Sequence, residues 1–414
     1  MSSNCTERML PTAEPIASPA LSTISLLRKL AFAGVLLAFA VVVLGAYVRL
    51  TAAGLGCPDW PGCYGHLTPL GAEQSVATGA SLSGPLLDVD KAWHEMIHRY
   101  AAGALVLLIV LIVALTSLSR LSPVRPRYAL GLLATVVAQA ALGMLTVKWQ
   151  LTPLIVTLHL LFGLGTLTLM WWLWLTLRNH LEPRHAWRSR ATESKDALQS
   201  RTERRARMLA GLALVSLLTQ ISLGGWTSSN YAAVACPDFP RCQGSWWPAM
   251  DNREAFVVWR TSTANYEGGL LTGAARVAIH FTHRLGALIA TCALLLAAVY
   301  VLCCRGLRHM HAAAIVALVA LVLQLTIGIS MVLRGFPLWL ATAHNAGAAL
   351  TLLAVITLVY QAQRLTQRSG GAPWRSVMPA RAFKPNAHDA MRQAAHRRCC
   401  GTSSTNVVGR TCRS

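Results

Sequence analysis

Eight long apolar runs, separated by shorter polar stretches, set the pattern of this chain, near residues 30–50, 92–118, 128–148, 151–177, 208–228, 276–302, 312–334 and 338–361. A helix rises 1.5 Å per residue, so about 20 apolar residues cross the hydrocarbon core of a bilayer. Each run is long enough. The pattern predicts an all-α polytopic membrane protein with eight transmembrane helices.

A second pattern is internal. Residues 45–65, GAYVRLTAAGLGCPDWPGCYG, align with 224–244, GGWTSSNYAAVACPDFPRCQG, at an offset of 179. Beyond a second-half loop that is six residues longer, the offset becomes 185 and holds through three more helices. It carries His98-Arg99 onto His283-Arg284, Gln139 onto Gln324, Gly143 onto Gly328 and His159 onto His344. Four helices per half is an even number, so both halves enter and leave on the same side. They are therefore related by a pseudo-twofold axis along the membrane normal, and two four-helix bundles side by side is the expected architecture. The divisions read as a tail (1–27), a first half (28–177), a polar basic linker (178–207), a second half (208–362) and a basic tail (363–414). That last segment has no apolar periodicity, which predicts disorder.

Composition agrees with the membrane reading. The 414 residues are 54% hydrophobic and 13% charged, with a mean hydropathy of +0.47, and a soluble domain of this size needs more surface charge. The net charge of +21 would suit a nucleic-acid binder, but its placement argues otherwise. Of the 37 Lys and Arg, 27 lie before the first apolar run (Arg8, Arg28, Lys29), in the C-terminal tail and in loops 119–127, 178–207 and 303–311, all on one side, against 8 on the other. Basic loops mark the cytoplasmic side, so both termini are expected there. The charge is read as an orientation signal with affinity for anionic lipid, not for nucleic acid. The first apolar run follows Arg28-Lys29 but is roughly twice the length of a signal-peptide core and enters the repeat, so it is read as a retained helix.

The candidate chemistry lies in the histidines. His180, His185, His309, His311, His388 and His396 fall in cytoplasmic segments, and His66 in the first outer loop has no counterpart. His98, His159, His283 and His344 differ, because they sit inside apolar runs, on the second and fourth helix of each half. Ionisable residues there are costly and face the bundle interior. One such histidine would be read as a neutral imidazole bonded to a neighbouring helix; four at duplicated positions point to ligands. Both members of each pair lie roughly 8–10 Å in from the outer face at 1.5 Å per residue. Two imidazoles at matched depth suit the axial positions of one haem iron. Zinc fits less well, since no third or fourth ligand is supplied. Arg99 and Arg284 follow the ligand candidates and are expected to meet a haem propionate or a local acid.

The halves also differ. Glu95, three residues before His98, falls in register with His280, three before His283. Glu95 is read either as a proton acceptor in oxidation of a bound substrate or as a carboxylate orienting a ligand histidine. His94 is expected at the interface, and His280 is an alternative ligand to His283. Cys57 with Cys63, and Cys236 with Cys242, share a C-x5-C spacing in outer loops. Structural disulfides over the bundle mouths are the simplest reading on the oxidising side, a redox-active first pair the sharper one. No role is assigned to Cys5, Cys292, Cys303 or Cys304, and the spacing of Cys399, Cys400 and Cys412 supports no metal site.

Glu95-x-x-His98-Arg99, the His159 and His344 helices, His283-Arg284 and the two cysteine pairs together resemble the haem A synthase family, over residues 28–362. The resemblance implies oxidation of the C8 methyl of haem O to a formyl group, by successive hydroxylations and loss of water. It implies that His98 and His159 flank the iron of the substrate haem, with Arg99 and Glu95 beside it. His283 and His344 would be axial ligands of a haem B that carries electrons, with Arg284 near its propionates. Cys57 and Cys63 would lie in or near catalysis. A bacterial inner membrane, a haem O synthase and assembly factors of cytochrome c oxidase follow from the same likeness; any homo-oligomer is left open, and the long C-terminal tail falls outside the family pattern. The competing reading is a dihaem b-type membrane cytochrome in quinol or electron transfer, which gives Glu95 no task. A transporter would need helices broken at matched midplane positions, and none are present.

Overall fold

A computed structural model describes residues 19–78, 86–118, 126–181, 197–260 and 265–369. Eight helices in it are long and apolar enough to span a membrane. They are α1 (Pro19–Leu50), α2 (Val89–Leu118), α3 (Pro126–Lys148), α4 (Pro153–Leu181), α5 (Ala197–Ser229), α6 (Gly273–Cys303), α7 (His311–Leu333) and α8 (Leu338–Ser369). Three of them begin on proline, whose fixed φ suits a first turn that has no donor to lose.

Several helices outrun the apolar runs. α1 starts at Pro19, with Leu27 and Ala31 fully buried. The segment read as linker is helical at both ends, since α4 continues to Leu181 and α5 begins at Ala197. That polar first part of α5 is held by packing. Tyr300 of α6 reaches the Thr202 carbonyl, Gln199 donates to Glu203 at 3.2 Å, and Ala206 is buried. Of the tail expected to be disordered from residue 363, the first part continues α8 to Ser369, and the rest, with the tail cysteines, lies outside the described residues.

The first half closes as a bundle, α1 packing on α2 and α4, and α3 on α2 and α4. In the second, α6 packs on α5 and α7, and Thr351 of α8 donates toward the Ala320 carbonyl of α7. The fourth helices of the two halves meet at the seam. Trp171 of α4 donates to Thr357 of α8 at 2.8 Å, Asn179 donates to the Tyr360 hydroxyl at 3.0 Å, and Trp172 sets its ring edge against Tyr360. A core of Leu164, Leu167, Met170, Leu352 and Ile356 runs along this seam.

The two flanks of the seam differ. Between α4 and α5, Gly225 lies against Thr157 and Leu160, and Thr157 bonds Ser229; a small residue lets membrane helices approach closely. Between α1 and α8 an apolar groove of about 650 Å³ opens, lined by Val43, Tyr47, Trp339, Thr342 and Ala346. Across the ends that carry the cysteine loops, Arg49 of α1 donates to the Ser228 carbonyl at 2.8 Å and stacks on Tyr231, placing a cation at the negative end of α5. In return, the Tyr266 amide donates to the Gln150 carbonyl and Trp259 stacks edge-on with Trp149.

Candidate functional site

The two cysteine loops are near copies. Disulfides join Cys57 to Cys63 and Cys236 to Cys242, and all four sulfurs' residues are fully buried. In each loop the Asp after Cys-Pro accepts two backbone amides: Tyr64 and Gly65 donate to Asp59, at 2.6 and 2.8 Å, and Gln243 and Gly244 to Asp238, at 2.7 and 2.8 Å. The chain then turns through Gly65 and Gly244, with φ of 77° and 76°, where a side chain would be strained. Burial, reinforced by the negative charges of Asp59, Asp88 and Glu95, pushes the Tyr64 phenol above its ordinary pKa.

Each loop is fastened to the helix below by the arginine that follows the histidine. Arg99 donates to the carbonyls of Asp59 at 2.9 Å and Gly62 at 2.5 Å. Arg284 donates to those of Asp238 at 2.8 Å, Arg241 at 2.7 Å and Cys236 at 2.9 Å. Asp59 and Gly62 are the register equivalents of Asp238 and Arg241, so the anchor was duplicated with the loop. Of the two partners expected for these arginines, Arg99 meets the acid, Glu95, at 2.5 Å, whereas Arg284 is turned to carbonyls.

The halves part at the residue three before the histidine. Glu95, 4% exposed, accepts the Cys57 amide at 2.8 Å through one oxygen and Arg99 through the other. It thus joins the disulfide loop to α2 and makes no bond to His98. His280, equally buried, accepts from Arg284 at 3.3 Å. It therefore points the same way as Glu95, toward the loop. His94 stacks edge-on with Tyr47.

The four histidines lie on the inward-facing sides of α2, α4, α6 and α8, each ring against a glycine of an adjacent helix. Gly45 seats His98, Gly143 seats His159, Gly224 seats His283 and Gly328 seats His344, and an added Cβ would come within 2.9, 3.1, 3.1 and 2.8 Å of the respective rings. These glycines are themselves two register pairs. The members of each histidine pair are close enough to interact electrostatically. Glutamines approach the rings as well: Gln139 lies 3.4 Å from His159, Gln324 3.2 Å from His344, and Gln220 3.0 Å from His283.

A family model described as cytochrome oxidase assembly protein, COX15-CtaA, matches residues 28–356. The chain belongs to this family. Among its relatives, a haem A synthase of Shewanella oneidensis is 40% identical over 325 residues, covering 77% of this chain and 92% of that protein. A haem A synthase of Beijerinckia indica is 27% identical over 336 residues, covering 76% and 87%, and one of Halalkalibacterium halodurans is 25% identical over 342 residues, covering 80% and 96%.

The donor sets of this family member suit haem. Among the described residues, Nδ1 of His98 and of His159 and Oε1 of Gln139, Gln220 and Gln324 are buried without a partner, polar atoms that a bound group and its ring orientation would satisfy. No cluster of three or more His, Cys, Asp or Glu that would hold a bare metal ion occurs among the described residues. The Arg-to-loop anchors were not foreseen from sequence, although the shared His-Arg register carried them. Gln220 was missed because it has no repeat partner. A carboxamide in the apolar middle of α5 was its one signal.

Proposed function

We propose that this chain is a haem A synthase, oxidising the C8 methyl of haem O to a formyl group in the membrane, with haem B as its resident cofactor. Two paired-histidine seats on one duplicated scaffold, unequal at Glu95 and His280, carry the reading. It is supported by the family match and by the relatives that bear this name.

His98 and His159 would hold the substrate haem, and His283 and His344 the haem B. When bound, that cofactor supplies one-electron transfer through its iron. The glycine seats fix each imidazole's position, and the helices around them exclude water. Arg99 holds the first loop down over its bundle and keeps a positive charge near the mouth, where a propionate is also drawn. Arg284 does the same over the second bundle, where its charge would draw a haem B propionate. Glu95, between Arg99 and the Cys57 amide, is the one carboxylate beside the first seat in α2. It is placed to take a proton from the oxidised substrate and to pass it toward the outer loop. Cys57 and Cys63 lie directly over this path. The orientation with both termini cytoplasmic, and delivery of product to cytochrome oxidase assembly, belong to the same proposal.

The test is co-expression of the full chain with a haem O synthase in a host that makes no haem A, followed by extraction and chromatography of total haem. Haem A is the expected product. Haem B and haem O alone, with the chain present in the membrane, would leave a dihaem electron carrier as the surviving reading.

A further inference from the structure

The second seat contains a polar device that the first lacks. Gln220 of α5 brings its carboxamide nitrogen to 3.0 Å from Nδ1 and 3.4 Å from Nε2 of His283. It fits because α6 offers Gly286 beside it: a Cβ there would fall 2.4 Å from the Gln220 Oε1 and 2.8 Å from Leu223. The repeat gives the counterparts of both residues. At offset 179 Gln220 becomes Val41, and at offset 185 Gly286 becomes Ala101. In the first half Val41 and Ala101 offer no carboxamide, and no second glutamine joins Gln139.

The two positions change as a pair. An alanine opposite the glutamine would push its carboxamide out of its present place beside His283, and a valine with a glycine opposite would leave a void; each half holds the combination that packs. A carboxamide inside a membrane helix is costly to retain without a task. An amide also carries both a donor and an acceptor. An imidazole that gives Nε2 to iron must dispose of its Nδ1 proton, and a half-turn of the Gln220 carboxamide about its last bond would bring Oε1, buried without a partner among the described residues, to Nδ1 as the acceptor.

We propose that Gln220, admitted by Gly286, is a positioning residue that locks the His283 imidazole and makes the second seat the retentive one, while Val41 and Ala101 leave the first seat free to exchange its haem. This rests on the proposed function, in which one haem stays and the other is turned over. Outer partners of metal-bound histidines typically change affinity by roughly 10–100-fold, which sets the size of the effect.

The experiment uses the purified full-length protein loaded with haem B and measures haem loss to excess apomyoglobin, together with the low-spin optical spectrum and the midpoint potential. Q220L should speed haem loss from the slow, second-seat phase by about 10–100-fold and shift the potential. Should Q220L fail to fold, Q220V/G286A rebuilds the packing of the first half and should have the same effect. The reverse pair, V41Q/A101G, should slow loss from the first seat. Unchanged loss kinetics and potential in both second-half variants would overturn the proposal. That outcome is independent of whether haem A is made in co-expression, which tests the function itself.

Discussion

In the first half the residue three before the seated histidine is Glu95, bonded to Arg99 and to the amide of Cys57; in the second it is His280, which meets Arg284. One helix turn further in, the polarity reverses, with Val41 facing the first seat and Gln220 the second. The first half therefore concentrates charge at its loop, and the second concentrates hydrogen bonding at its ring. Duplication preserved the imidazoles, the glycine rests and the anchored disulfide loops. On the proposed function, divergence fell on what would separate a substrate's seat from a cofactor's.

The largest separation should come from the ligands themselves. H283A or H344A should abolish the low-spin haem B spectrum of the purified protein, because each would remove one of the two ligands proposed for that haem. H98A or H159A should leave that spectrum in place while ending haem A formation. Equal spectral loss from all four variants would mean that the seats are not separable.

Next in size are the arginines. R99A leaves Glu95 buried and unpaired and frees the first loop, and breaking a buried ion pair from one side costs about 3–5 kcal/mol. R284A removes donors to three carbonyls but strands no charge, so its destabilisation should be smaller. Thermal unfolding in detergent or nanodiscs compares them. An equal or larger loss in R284A would show that the Glu95 pair is not what distinguishes the two anchors. E95Q sharpens the same point. It retains the size of the side chain and its bond to the Cys57 amide, so haem content should hold while haem A yield falls at least tenfold, as expected when a proton acceptor is removed. Undiminished yield would reduce Glu95 to a loop tether.

How much of this was legible in sequence follows from what repeats and what is local. Eight helices could be read because a bilayer imposes about 20 apolar residues on each. The ends of α1 and α5 could not, since the first turns of α5 are helical through contacts with α6, such as Tyr300 with Thr202, and not through hydropathy. The four histidines stood out because duplication turns one improbable polar residue into a pattern. Gly143 and Gly328 were visible in the same register, but their work as ring seats depends on how α3 meets α4 and α7 meets α8. The partners of Arg99 and Arg284 are carbonyls about 40 residues away in sequence, and backbone acceptors leave no side-chain signature. Gln220 was illegible for the opposite reason, because the repeat is silent where the halves differ.

The smallest expected effect concerns the loops, where the halves agree. Asp238 is held below the usual carboxylate pKa, first by the Gly244 amide, then by the Gln243 amide and the Arg284 charge. A depressed pKa in the folded state means the ionised form favours folding. Its contribution is present above the unfolded pKa of about 3.9 and is lost as pH falls through the folded value. D238N should therefore melt slightly below the parent protein at pH 7, with the difference closing as pH is lowered through the carboxylate range. The group is solvent-exposed, so salt should shrink the gap as well. A gap that stays constant between pH 7 and pH 3 would assign the loss to the shape of the turn and not to the charge. The Cys236 loop would then be held by its two amide bonds, its disulfide and the Arg284 bonds to its carbonyls, with no contribution from the Asp238 charge.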